Sequence, residues 1–177
     1  YEHFICIAAA MDRVGEHEDE MWDEEDGFFY DVLRLPNGEA FRLKLRSMVG
    51  LVPLFASAIL SPEVYECLPD FVKRMRQFNL RHEQLLTKIN PPGEPGLHGR
   101  RLLAIVNHDK LRRVLKRLLD ETEFLSQYGI RSLSQTHREN RHLLRFGPDV
   151  YRVEYEPAES SSALFGGNAN WRGPIWM

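Results

Sequence analysis

A chain of 177 residues with 43% hydrophobic and 28% charged side chains has the make-up of one ordinary globular domain with its own core. Its formal charge of −3 gives no general attraction to nucleic acid or to an anionic membrane. No stretch approaches the ~18 apolar residues that a spanning helix needs.

The first element is a helix over Tyr1–Val14, in which Phe4, Ile7, Ala8, Met11 and Val14 form one apolar stripe. No capping residue precedes it, and Gly15 supplies a C-cap. An acidic connection follows, with Glu16, Glu18, Asp19, Glu20, Asp23, Glu24, Glu25 and Asp26 around Trp22. From Gly27 the period becomes two. Phe28–Leu35 and Ala40–Arg46 flank Pro36-Asn37-Gly38-Glu39, which predicts a β-hairpin.

Ser47–Leu60 returns to a helical, nearly all-apolar run, and Ser61-Pro62-Glu63 restarts a helix with a cap and a proline in its first turn. Pro69–Lys88 reads as a further helix carrying Phe71, Met75, Phe78, Leu85 and Leu86. The segment 90–99 is a Pro/Gly insertion within a single domain, since neither half has a core of its own.

Asp109–Leu119 is a basic amphipathic helix, with Leu111, Val114, Leu115 and Leu118 inward and Lys110, Arg112, Arg113, Lys116 and Arg117 outward. Asp120–Leu125 reads as a short acidic-capped helical turn. His142–Phe146 and Tyr151–Tyr155 around Gly147-Pro148-Asp149 predict a second hairpin, and from Glu156 the chain reads as loop. Helices dominate this reading. The expected fold class is mainly α, with one or two small hairpins, and the long decorated loops suit an α/α toroid better than a tight bundle.

Two segments could carry chemistry. Trp22-Asp23-Glu24-Glu25-Asp26-Gly27-Phe28-Phe29-Tyr30-Asp31 combines carboxylates, which accept hydrogen bonds from sugar hydroxyls, with aromatic faces, which stack on sugar C–H groups. On composition alone it reads more readily as an acidic turn leading into a strand of core aromatics. Its spacing does not match a calcium loop. In Gly166–Met177, Asn168, Asn170 and Arg172 offer hydrogen bonds and Trp171 and Trp176 offer rings, either to grip a ligand or to pin a loop.

The remaining candidates read as ordinary surface or core. Glu154, Glu156 and Glu159 are solvated loop acids, and His137 and His142 lack a third metal ligand. The outward cations of 109–119 have no interleaved aromatics, which counts against nucleic acid. Cys6 and Cys67 have no metal-type spacing, and are expected to pack as small apolar residues in a reducing, cytoplasmic compartment.

Taken in order, MWDEEDGFFYDVLRLPNG, RSMVGLVPLFA, DETEFLSQYGIRSLS and YEPAESSSALFGGNANWRGPIW resemble glycoside hydrolase family 63, in particular its large bacterial mannosyl-oligosaccharide glucosidase-like members. The similarity runs through nearly all of the chain and is weakest across 90–99, and trehalases carry cognate segments in the same order. The resemblance implies an (α/α)6 barrel that hydrolyses α-linked gluco- or manno-oligosaccharides with inversion, with no cofactor or metal. Such chemistry needs a carboxylic acid to protonate the leaving oxygen and a carboxylate to activate water.

In that family the acid is an aspartate in a Gly-Leu-Asp-Asn type motif before the WDEEDG segment, and the base is a glutamate after the NWRGPIW segment. Neither motif occurs here. The expectation is therefore a partial domain, 1–177, cut at Met177 from the centre of a catalytic unit, with no catalytic residue and no activity of its own. Its expected saccharide contacts are Trp22, Asp23, Asn170, Trp171 and Arg172, with Arg131 of YGIRSLS contributing more weakly. Ala169 departs from the serine common at that position, which removes one hydroxyl. The implied partners are an oligosaccharide and a second copy of the fragment, paired through exposed helix faces. The alternative is a non-catalytic carbohydrate-binding or protein-interaction module.

Overall fold

A computed structural model describes residues 1–12, 20–87, 89, 93, 95–127, 129–153 and 155. The helices are α1 (Glu2–Asp12), α2 (Pro62–Cys67), α3 (Pro69–Arg81), α4 (Glu83–Leu86) and α5 (His108–Leu118). The strands pair two by two: β1 (Trp22–Asp23) with β2 (Phe28–Phe29), and β3 (Asp31–Arg34) with β4 (Ala40–Leu43). The other pairs are β5 (Ser57–Leu60) with β6 (Arg101–Ala104), β7 (Leu125–Ser126) with β8 (Gly129–Ile130), and β9 (His142–Phe146) with β10 (Asp149–Val153). All five pairs are antiparallel.

Helix, including the 3-10 segments, makes up 43% and strand 25% of the described residues, so the fold is mixed α/β and the expectation of a mainly α chain, part of an (α/α)6 toroid, is overturned. The segment that misled most is Ser47–Leu60. Its apolar run suggested an α-helix, but Pro53 has no N–H to continue one. Met48–Phe55 instead forms a 3-10 helix capped by Ser47, and Ser57–Leu60 peels away as β5. Three residues per turn sort this segment into three faces. Met48, Leu51 and Leu54 pack inward, Gly50 and Pro53 lie buried beside them, and Val49, Val52 and Phe55 are exposed.

Other boundaries moved for identifiable reasons. The first hairpin pairs only 31–34 with 40–43, because Phe28 and Phe29 turn back to pair with Trp22 and Asp23. The predicted helix over 69–88 breaks at His82 (φ −130°), giving α3 and α4. Asp120–Leu125 is a turn opening into β7, and the second hairpin forms close to where it was expected. In α1 the buried residues are Ile5, Ala8 and Asp12, whereas Ile7 of the expected stripe is 58% exposed. Cys6 and Cys67 are exposed, not packed. Lys110 of α5 faces inward, paired with Asp12.

Two apolar clusters hold the chain. One gathers Trp22, Phe28, Phe29, Tyr30, Leu51, Val106, Val114 and Phe124, with Phe28 stacked on Phe124 at 5.7 Å. The other joins Ile5 and Ala8 of α1 to Ile89, Leu103 and Ile105. Among the described residues no helix is long and apolar enough to cross a membrane.

Candidate functional site

The acidic stretch folds as a tight β1–β2 turn. Asp23 closes it twice: its carbonyl accepts Gly27 N–H at 2.8 Å, and its Oδ1 accepts Asp26 N–H at 2.8 Å. Gly27 takes a positive φ of 63°, a conformation open to glycine without a Cβ penalty. The turn therefore presents Asp23 and Asp26 to the same side, toward the segment that leaves β4.

Arg42 within β4, and Lys44 and Arg46 just after it, stand at alternate positions, and all three reach the turn. Asp23 Oδ2 takes Arg42 Nη1 at 2.9 Å and Lys44 Nζ at 3.0 Å. Asp26 takes Lys44 Nζ on Oδ2 at 3.2 Å and Arg46 Nη2 on Oδ1 at 2.8 Å. Arg46 extends the network by donating from Nη1 to Glu123 Oε1 at 2.9 Å and from Nε to Tyr30 OH at 3.0 Å. Arg117 of α5 closes it, donating to Glu123 Oε1 at 2.6 Å and to the carbonyl oxygen of Asp26. Ser134 Oγ donates to Glu123 Oε2 at 2.8 Å.

The electrostatics follow from this geometry. Burial pushes the Asp23 carboxyl up, but the Asp26 N–H, Lys44 and Arg42 outweigh it and hold the group below the ordinary aspartate value. Asp26 is likewise held low, with burial overcome by Lys44, Tyr30 and Arg46. Glu24 is lowered mainly by the Trp22 indole N–H, which donates to its Oε2 at 2.6 Å, with Arg113 adding to the effect. Burial pushes the Tyr30 phenol up to about 12, so it stays a neutral donor to Asp26 at 3.0 Å. Three carboxylates of this turn thus stay ionised at neutral pH.

Trp22 and Asp23 are each 3% exposed. The Trp22 ring lies under Lys110 Nζ at 5.1 Å and Arg113 Cζ at 5.4 Å, and edge-on to Phe29 at 4.8 Å. Both residues shape the turn from within. Arg131 sits beside the same network: its Nη1 donates to the carbonyl oxygens of Glu121 at 2.8 Å, Glu123 at 3.3 Å and Leu125. Trp22 and Asp23 thus lie together in the β1–β2 turn, whereas Arg131 reaches the carbonyl oxygens of the 121–125 turn. Asn170, Trp171 and Arg172 lie outside the described residues, as do Glu154, Glu156 and Glu159.

Arg42, Lys44, Arg46 and Glu123 were missed from sequence. The alternation of cations at 42, 44 and 46 was a usable signal, because positions two apart in extended chain face one side. Glu123 carried no such mark. A cavity of about 260 Å³ opens beside the network, lined by Glu25, Asp26, Arg113, Lys116, Arg117 and Glu123 among others. Among the described residues no group of three His, Cys, Asp or Glu side chains could hold a metal ion.

The chain is 42% identical, over 189 aligned residues, to an uncharacterized protein of Saccharomyces cerevisiae, YMR196W. The alignment takes in all of this chain but 17% of the yeast protein, so the chain spans a small part of that relative's length. No family model matches the chain. No solved structure matches it.

Proposed function

We propose that this chain forms part of the substrate-binding portion of an inverting α-glycosidase, acting on α-linked gluco- or manno-oligosaccharides, and that none of the carboxylates in its acidic turn is the catalyst. The observation that carries the reading is the ordered set of motifs that resemble family 63 hydrolases: WDEEDGFFYD, RSMVG, DETEF, GIRSLS and NANWRGPIW. Residues from the first four contribute to the network around Arg46 and Glu123.

The chemistry supports the second half of the proposal. A general acid in glycoside hydrolysis must carry its proton near neutral pH, which requires a raised pKa. Asp23, Glu24 and Asp26 are all held ionised, which does not suit proton donation, and with Arg42, Lys44, Arg46 and Arg113 on their oxygens they are also weak bases toward water, so they suit positioning. Trp22 and Asp23 order the turn, and direct saccharide contact is assigned to Asn170, Trp171 and Arg172.

The test is turnover by the intact protein on a panel of α-linked gluco- and manno-oligosaccharides. Trp171→Ala should weaken substrate binding at least tenfold, as loss of a stacking ring would. Asp26→Asn should lower activity without abolishing it. Loss of all chemistry in Asp26→Asn, with binding intact, would overturn the positioning role. Saturable binding across the panel with no turnover would point instead to a carbohydrate-binding module.

A further inference from the structure

His137 lies in the 3-10 turn Gln135–Arg138, 6% exposed, with both ring nitrogens engaged. Nδ1 is 2.9 Å from the carbonyl oxygen of Asn140, which can only accept, so Nδ1 carries the hydrogen. Nε2 is then bare, and it accepts the backbone N–H of Arg46 at 3.0 Å. Around this contact two segments are zipped together. Ser134 N–H donates to Arg46 O at 2.8 Å, Met48 N–H donates to Ser132 O at 2.9 Å, and Ser47 bridges Leu133. The imidazole thus grips the backbone of the residue whose guanidinium holds Asp26, Tyr30 and Glu123.

We propose that His137 is a proton-operated latch: a second proton, taken from solvent onto Nε2, displaces the Arg46 N–H and lets segment 46–48 part from segment 132–137. A protonated Nε2 would set one N–H against another, and burial withdraws the ring from the solvent that would otherwise receive the new donor. The charged groups around the ring decide the balance. The Arg46 guanidinium opposes a cation there, and the His142 ring, edge-on at 6.4 Å, opposes one when it is itself protonated. Glu123 favours one, but Arg46, Arg117 and Ser134 already share its carboxylate. Arg138, on the same turn as His137, lies over the Tyr155 ring at 5.3 Å. Opening costs the network its anchor, so the latch would loosen the acidic turn whether or not the saccharide reading holds.

Burial, with Arg46 adding to it, holds the imidazole below the ordinary value of 6.5 although the Asn140 bond and Glu123 pull the other way. The closed state therefore binds fewer protons than the open one, and opening grows as pH falls below that ordinary value. Amide hydrogen exchange on the intact protein, read by NMR between pH 7.5 and 5, tests this. Protection at the Arg46, Met48 and Ser134 amides should fall by up to about tenfold per pH unit below ~6.5, while amides of α3 keep theirs. His137→Gln should abolish the fall, and His142→Gln should leave it.

Where the His137 variant fails to fold, ring ¹⁵N shifts of the unaltered protein decide the matter. They should show hydrogen on Nδ1 and a bare Nε2 at neutral pH, with a midpoint that coincides with amide release. Hydrogen on Nε2, flat protection at the three amides, or a fall removed by His142→Gln would each overturn the latch.

Discussion

Arg46 and Glu123 stand 77 residues apart in the chain and meet at 2.9 Å, each with most of its side chain withdrawn from water. The pair joins the acidic β1–β2 turn, the segment after β4 and the 121–125 turn into one unit. Partly buried charges depend on one another, because removing either partner leaves the other without compensation.

Replacement of Arg46 by Met should therefore cost about 2–4 kcal/mol, since it strips donors from Asp26, Glu123 and Tyr30 together. Arg46→Lys should recover less than half of this, because one ammonium cannot reproduce three directed contacts. Urea denaturation at pH 7 checks both, with the midpoint falling and the slope unchanged.

Lys110 and Asp12 form the deepest ion pair between α5 and α1. Lys110→Met alone should destabilise by roughly 2–4 kcal/mol, because it takes from a buried carboxylate the ammonium paired with it. The double variant Asp12→Leu/Lys110→Met should return most of that loss. A double-mutant cycle in urea measures the coupling, and simple additivity would show that the pair is not what holds the two helices.

Gly50 tests the packing beneath the 3-10 helix. A Cβ there would overlap the Phe28 ring and the Phe29 carbonyl oxygen, with Phe28 Cζ at 2.8 Å, and neither is free to move in the core. Gly50→Ala should cost at least the ~1–3 kcal/mol typical of overpacking. Gly38, at φ +88° with open space around it, should cost only about 1 kcal/mol on the same change. Thermal or urea midpoints of the two variants should fall in that order.

Acid stability should decline in two windows. His137 and His142, both held low chiefly by burial, bind fewer protons folded than unfolded, so stability begins to fall below ~6.5. Asp23 and Asp26 are depressed below the ordinary 3.8, so their contribution is complete above that value and is lost as pH falls through it toward their lowered folded values. Asp26→Asn should blunt the second decline and leave the first. Urea midpoints at pH 7, 5, 4 and 3 resolve the windows.

The sequence carried the turns well and the helices less well. Asn37-Gly38 and Gly147-Pro148 marked both longer hairpins because turn chemistry is local. Ser47–Leu60 was misread because an apolar run has no period of its own, and Pro53 and the partner strand at 101–104 decide its form. Lys110 was placed outward by pattern, and its true partner on α1 is 98 residues away. At the candidate site the acids and aromatics of 22–30 were visible, whereas the alternation of 42, 44 and 46 stood in the sequence but was read only as a strand. What alternation could not say is that these cations neutralise that turn, since the contact depends on tertiary pairing.

The measurement that bears most directly on the proposed activity is proton NMR of the sugar released when the intact protein acts on an α-linked gluco- or manno-oligosaccharide. Inversion predicts that the β-anomer appears first and equilibrates slowly to the mixture. Release of the α-anomer, or no hydrolysis of any α-linked glucose or mannose, would contradict the account.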